Sequence, residues 1–288
     1  MKIGLTGATG HFGAIVAERL LASVPAENIV VSVRNPEKAE NLRARGVEVR
    51  HGDFDQPETL DAAFAGVDRL LIVSADGDND TRIRQHKAAV DAAVRAGVGF
   101  IAYTSATNAE ESPLFLAPVH RTTEGFIRET GIPYTFLRNN WYLENEAGSI
   151  QAAAAGAPWV TSAGNGRVGW ATRRDYAEAA AAVLTGEGHE NKTYELSGPA
   201  LTQEELAAVV GGVLGKEVAV QQVDDAGYSS VMASAGVPDF ALPIVVAIQQ
   251  AIREGALDLE SSDLTNLLGR PLTPLSQGVS DLLNADKA

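Results

Sequence analysis

A doubly wound α/β fold, with a parallel sheet first and a smaller α+β lobe after it, is what this 288-residue sequence predicts. Three observations carry the prediction. Short β-branched runs alternate with longer helical patterns from the start to about Leu137, the signature of repeated βα units. Those helical patterns close on glycines, at Gly46, Gly66, Gly97 and Gly131, where helices commonly stop. The first apolar run leads straight into Gly7-Ala8-Thr9-Gly10-His11-Phe12-Gly13 and then an amphipathic helix pattern.

The predicted strands are 2–6, 29–33, 47–50, 69–74, 99–104 and 134–137, with helices near 12–22, 36–45, 57–65, 81–96 and 118–130 between them. Right-handed crossovers then line the strand C-termini along one crevice. That crevice collects Gly7–Gly10, Arg34, Asp53, Ser74 and Thr104–Ser105. After Trp141 the pattern is less regular: an alanine-rich helix at 150–155, a turn at Gly164-Asn165-Gly166, and a helix from about Thr172. A strand near 193–196, a helix near 203–214, a strand near 217–221 and mostly helix follow. The expected division is a Rossmann-type nucleotide-binding domain over 1–146, to which a helix at 173–185 returns, and a discontinuous substrate lobe over 147–288.

Composition narrows the function. Lys and Arg total 23 against 37 Asp and Glu, a formal charge of −14, which argues against nucleic acid or an anionic membrane as partner. There is no cysteine, so disulfides, thiolate metal sites and cysteine nucleophiles are excluded. No apolar run approaches the roughly 20 residues that span a bilayer, and no signal peptide is recognisable. The expectation is a cytoplasmic protein, with a homodimer left open. The histidines at 11, 51, 86, 120 and 189 have no metal-ligand spacing, so no metal is expected. Asp76-Gly77-Asp78-Asn79-Asp80 begins like a calcium loop but has Thr81 where Gly and Lys87 where Glu are required, so it reads as a helix-capping loop.

The glycine turn has the chemistry of a dinucleotide site. Gly7 would make the tight turn, Gly10 would leave room for a pyrophosphate at a helix N-terminus, and Gly13 would let that helix pack close. An NAD site usually carries a carboxylate at the end of the second strand. Here Val33 is followed by Arg34-Asn35-Pro36, with Lys38 close behind, so a 2′-phosphate and hence NADP are favoured. Asp53 could accept from an adenine amino group or cap its own loop. No Tyr-x-x-x-Lys occurs, so the proton donor that normally serves ketone reduction is missing. An electron-poor planar acceptor such as a quinone needs less help, and positioning over the nicotinamide would carry the catalysis. Trp141, Trp159 and Trp170 could stack on such a substrate or simply pack.

GATGHFG, Val33-Arg34-Asn35-Pro36, Ile101-Ala102-Tyr103-Thr104-Ser105 and Leu137-Arg138-Asn139-Asn140-Trp141-Tyr142 together resemble the NmrA-like atypical short-chain dehydrogenases. Within them the chain is similar to the bacterial NADPH:quinone oxidoreductase and triphenylmethane reductase branch. The resemblance implies an NADPH-dependent oxidoreductase acting on a quinone, a triphenylmethane dye or a similar planar acceptor. Some NmrA-like proteins instead sense NAD(P) without turnover, and that is the alternative. By resemblance, Gly7, Thr9, Gly10, His11, Phe12 and Gly13 hold the pyrophosphate, Arg34 takes the 2′-phosphate and Ser74 lies near the cofactor ribose. Arg138, Asn139, Asn140, Trp141, Tyr142 and Leu143 wrap the nicotinamide end, Arg173 reaches in, and Tyr103 and Thr104 flank the ring. Other branches carry a catalytic lysine on the helix after the fifth strand. Here His120 stands there, and its imidazole could relay a proton with Glu124, one turn on, orienting or tuning it, or could be a partly buried histidine satisfied by a backbone group; Tyr103 and His120 are the catalytic candidates.

Overall fold

The structure is a computed structural model that describes residues 1–285. Seven parallel strands form one sheet: β1 (Ile3–Thr6), β2 (Ile29–Val33), β3 (Glu48–His51), β4 (Arg69–Ile72), β5 (Phe100–Ala106), β6 (Tyr134–Asn139) and, much later in the chain, β10 (Lys192–Leu196). Their spatial order is β3-β2-β1-β4-β5-β6-β10, so the order reverses between β1 and β4. In open α/β sheets that switch point is where ligands bind.

The connecting helices are α1 (His11–Leu21), α2 (Glu40–Arg43), α3 (Leu60–Phe64), α4 (Asn79–Arg95) and α5 (Ala117–Glu129). Phe12, Val16, Ala17 and Leu20 of α1 pack on one face of the sheet, joined by Tyr176, Ala177 and Ala180 of α7 (Arg173–Thr185). On the other face Leu60 and Phe64 of α3, Ala89, Val90 and Ala93 of α4, and Ile127 of α5 meet Ile101, Tyr103 and Phe136. Strand parity sets this out, because alternate residues point to opposite faces.

The lobe holds β7 (Trp141–Tyr142), α6 (Ala147–Ala154), β8 (Trp159–Thr161), β9 (Arg167–Ala171), β11 (Ala200–Thr202), α8 (Gln203–Leu214), β12 (Val220–Gln222), α9 (Asp225–Ser234), α10 (Leu242–Arg253), α11 (Asp263–Leu268) and α12 (Leu275–Ala285). Its strands make two small sheets, β11-β9-β7 and β12-β8. The sequence pattern missed β7, β8, β9 and β11, which are only two to five residues long. The pattern also left the strand near 193–196 in the lobe. It is in fact the edge of the large sheet, with Lys192 to Leu196 in register with Thr135 to Asn139.

The three tryptophans pack in or against the lobe core. Trp159 and Trp170 are fully buried in the lobe core, and the indole N–H groups are satisfied by Gln203 (2.8 Å) and Glu146 (3.2 Å) respectively. Trp141 is half-buried against the same core and also donates to Glu146. No helix among the described residues is long and apolar enough to cross a membrane.

Candidate functional site

The first βα turn shows why its glycines stand where they do. Gly7 has φ +67°, a conformation costly for any residue with a Cβ. Its carbonyl accepts from the Gly10 N–H at 3.0 Å, closing the turn. A Cβ on Gly13 would lie 2.2 Å from that same carbonyl oxygen, so the helix approaches this closely only with glycine there. Gly10 caps α1 without a side-chain hydrogen bond, and no acidic residue stands in the first turn. The N–H groups of His11, Phe12 and Gly13 therefore face outward without partners from the helix. Gly7, Thr9, Gly10 and His11 are exposed around them.

Residues from three other elements converge on this turn. The Phe12 ring stacks on Tyr142 with centroids 6.1 Å apart. The Arg173 guanidinium lies 5.3 Å from the Tyr142 ring and makes no hydrogen bond or ion pair among the described residues. Tyr142 accepts from Asn139 Nδ2 at 2.9 Å. Asn139 is buried and its Oδ1 has no partner, so it needs a donor from outside the chain. Arg34 is exposed at the end of β2 and is likewise unpaired among the described residues. An open cradle of N–H groups, two free guanidinium groups and an orphaned amide oxygen fit a phosphorylated dinucleotide with a carboxamide end.

The residues at the end of β4 are held from both sides. Thr6 Oγ1 accepts the Val73 N–H at 2.9 Å and Thr104 Oγ1 accepts the Ser74 N–H at 2.8 Å. Thr104 is buried and its Oγ1 accepts the Ser74 N–H, so it positions Ser74. Asp78 caps α4 by accepting the Thr81 N–H, which accounts for the acidic loop as a helix start.

Behind Ser74 lies a buried polar network that the sequence reading saw only in part. Arg82 Nη2 donates to Ser74 Oγ (2.8 Å) and to His120 Nε2 (3.3 Å). Because arginine only donates, His120 carries its proton on Nδ1 and gives it to the Tyr103 hydroxyl at 2.9 Å. The Ala75 N–H donates to His86 Nε2, so His86 donates from Nδ1 to Thr123 Oγ1 at 2.8 Å. Both imidazoles are neutral. Burial, then the Arg82 charge, holds His86 down to about 3 and pulls His120 well below the ordinary histidine value. Tyr103 is fully buried, so it cannot touch a substrate. That corrects its assignment as a catalytic group, and His120 meets the crevice only through Arg82 and Ser74.

These neutral histidines predict acid sensitivity. Between about 6.5 and about 3 the unfolded chain binds protons at His86 that the native chain refuses, so the stabilisation present above that window is lost as pH falls through it. Urea unfolding should weaken by up to about 1.4 kcal/mol per pH unit per histidine below about pH 6.5, with a shallower slope in His86→Gln. A slope that His86→Gln leaves unchanged would contradict this.

Several expected cofactor contacts are not where the resemblance put them. Arg138 turns to the α5 face, where Glu124 takes its Nε (2.9 Å) and Nη2 (2.7 Å), and Glu195 and Glu110 each take another donor at 3.0 Å. Glu124 is therefore committed to Arg138 and to Ser105 Oγ (2.7 Å), and does not tune His120. Ser105 is buried where it makes that contact. Asn140 pins sheet to lobe, donating to Ser197 Oγ (3.0 Å) and the Leu257 carbonyl (3.1 Å). Leu143 is fully buried in the lobe core and Trp141 packs beside it. Asp53 accepts from the Asp55 N–H (3.0 Å) and Gln56 Nε2 (3.3 Å), so of its two readings the loop cap is the one its hydrogen bonds express.

A parallel sheet with an open phosphate-binding turn at its switch point defines a dinucleotide-binding α/β protein. The NmrA-like family profile matches residues 1–256, and the chain belongs to that family. Quinone oxidoreductase 2 of Escherichia coli strain K12 is 42% identical over 285 residues, 99% of each chain. The triphenylmethane reductase of Citrobacter sp., crystallised with NADP(H), is 47% identical with a TM-score of 0.94, over 98% of this chain and 100% of that one. The crystal structure of the NADPH-dependent quinone oxidoreductase QOR2 of Escherichia coli with NADPH gives 42% identity and a TM-score of 0.93, again over 98% and 100%.

Proposed function

We propose that this protein is an NADPH-dependent reductase that hands hydride to a quinone or a similar planar aromatic acceptor in the crevice beside Gly7, Asn139 and Ser74. The observation that carries the reading is the unpaired Arg34 at the end of β2, where a 2′-phosphate would give it a charge-assisted partner. The relatives are an NADPH-dependent quinone reductase and a triphenylmethane reductase, which supports turnover over mere sensing. NADPH, when bound, supplies the hydride.

The chain's own residues do the rest. The α1 N–H groups and Arg173 hold anionic phosphate, Asn139 Oδ1 accepts an amide proton, and Tyr142 and Phe12 wall the crevice. With Tyr103 buried and no lysine partnering it, this arrangement suits an acceptor whose reduced form is stable as an anion. We place the reaction in the cytoplasm.

Arg34→Ala should weaken NADPH binding by about 1.5–3 kcal/mol and leave NADH nearly unchanged. Titration of both cofactors checks this, and equal losses for the two would remove Arg34 from the 2′-phosphate site.

A further inference from the structure

Arg82 is a buried charge without an ion-pair partner among the described residues. It is 6% exposed, yet no carboxylate among the described residues lies within ion-pair distance. Arg138, in the same layer, has three. Burial pulls the Arg82 guanidinium below its ordinary value, and the acid that opposes this, Asp76, stands on the exposed loop after β4. A buried charge without a partner is expensive, in a chain with 37 acidic residues to choose from.

The network around Arg82 has a direction. His120 Nε2 and Ser74 Oγ both accept from it, and the Tyr103 hydroxyl takes the His120 Nδ1 proton at 2.9 Å. Having accepted from a cation, the Ser74 oxygen leaves its own proton free to be given away. Ser74 is half-buried at the C-terminal end of β4, beside the switch point, while Arg82, His86, His120 and Tyr103 behind it are buried. His86, held by the Ala75 N–H and Thr123, also lies 3.4 Å from the Tyr103 hydroxyl, and all of these groups stand behind Ser74. Ser74 is thus where the positive potential of the network meets the crevice.

We propose that Arg82, acting through the Ser74 hydroxyl, stabilises negative charge on the acceptor, and that neutral quinones are preferred over cationic dyes for that reason. The proposal rests on the reductase reading above and names the acceptor class of that site. Hydride leaves the reduced nicotinamide with its bonding electron pair and forms an O–H bond at one quinone oxygen. The quinone is reduced by two electrons to the hydroquinone monoanion, with charge on the other oxygen, and a proton from water completes the hydroquinone. A hydroxyl polarised by a buried cation and donating to that oxygen lowers the barrier. For a cationic dye the same transfer discharges a cation, so Arg82 repels the reactant and has no anion to hold.

The test uses the full-length protein and 4-nitrophenol, whose colour distinguishes phenol from phenolate. Bound nitrophenol should ionise about one pH unit lower than free nitrophenol, a shift that Arg82→Gln and Ser74→Ala abolish and Arg82→Lys partly keeps. In turnover, Arg82→Gln should lower the quinone kcat by about tenfold to a hundredfold while NADPH affinity, followed by fluorescence, stays within about twofold. The quinone-to-dye ratio of kcat/KM should fall with it. An unshifted nitrophenol on the wild-type protein, or equal losses for quinone and dye in Arg82→Gln, would overturn the proposal. Should Arg82→Gln not fold, Ser74→Ala decides by the nitrophenol shift alone. Wild-type protein that shifts nitrophenol but reduces no quinone would sink the reductase reading instead.

Discussion

Gly13→Ala is expected to abolish NADPH binding and to destabilise the fold by about 3 kcal/mol or more. Helix propensity pulls the other way, since alanine inside a helix is favoured over glycine by about 1 kcal/mol. The steric term wins because the added Cβ would stand 2.2 Å from the Gly7 carbonyl oxygen and 2.7 Å from its carbon. Those are backbone atoms in a turn already closed by the Gly10 N–H, so neither can swing away, and α1 has to lift from the sheet. Gly10 is the contrast. Its Cβ would approach nothing nearer than 3.4 Å, so Gly10→Val should fold normally and lose the cofactor by filling the cradle. Thermal unfolding and NADPH titration of both variants check this, and a Gly13→Ala protein that binds NADPH normally would refute the geometry.

Glu124→Ala should cost about 3–5 kcal/mol, the scale for breaking a buried ion pair from one side. Glu124 is fully buried and accepts from Arg138 twice, from Ser105 Oγ and from Arg128 Nη2 at 3.2 Å. Its removal leaves the buried Arg138 guanidinium with Glu195 and the exposed Glu110 only, and Ser105 without an acceptor. Glu110→Ala is the internal control, because that carboxylate is mostly in solvent and such pairs contribute about 1 kcal/mol or less. Urea unfolding of both variants separates them. Equal, small losses would mean that the network does not hold β5, β6 and α5 together.

What was legible follows from which signals are local. The strand runs, the glycine turn and the absence of a carboxylate after Val33 depend on neighbouring residues, and these place β1 to β6 and Arg34. Helices end where the sequence predicts, as at Gly97 with φ +71°. The strand Lys192–Leu196 was visible as a strand but not as the sheet's edge, because pairing between residues so distant in the chain leaves no mark on either segment. β7, β8 and β11 are two or three residues long, too short for an alternation to show, while β9 is as long as β2 but lies outside the regular βα alternation.

Side-chain direction is the second loss. Arg138 follows Phe136 by two residues and so shares its face with α5, while Asn139 shares the other with Leu137. Parity along β6 would have separated the ion-paired Arg138 from the crevice-facing Asn139. Arg82 had a signal too. It continues the inward stripe of α4, Gln85-His86-Ala89-Val90-Ala93, at helical spacing, and a charged residue in such a stripe is a group that the fold buries deliberately or pairs.

The deciding measurement is quinone-dependent oxidation of NADPH by the purified protein, followed by the loss of reduced-nicotinamide absorbance beside a parallel reaction with NADH. NADPH should be consumed only when a quinone is present, and faster than NADH at equal concentration. Tight binding of NADPH with no consumption across a panel of quinones would contradict the reductase reading.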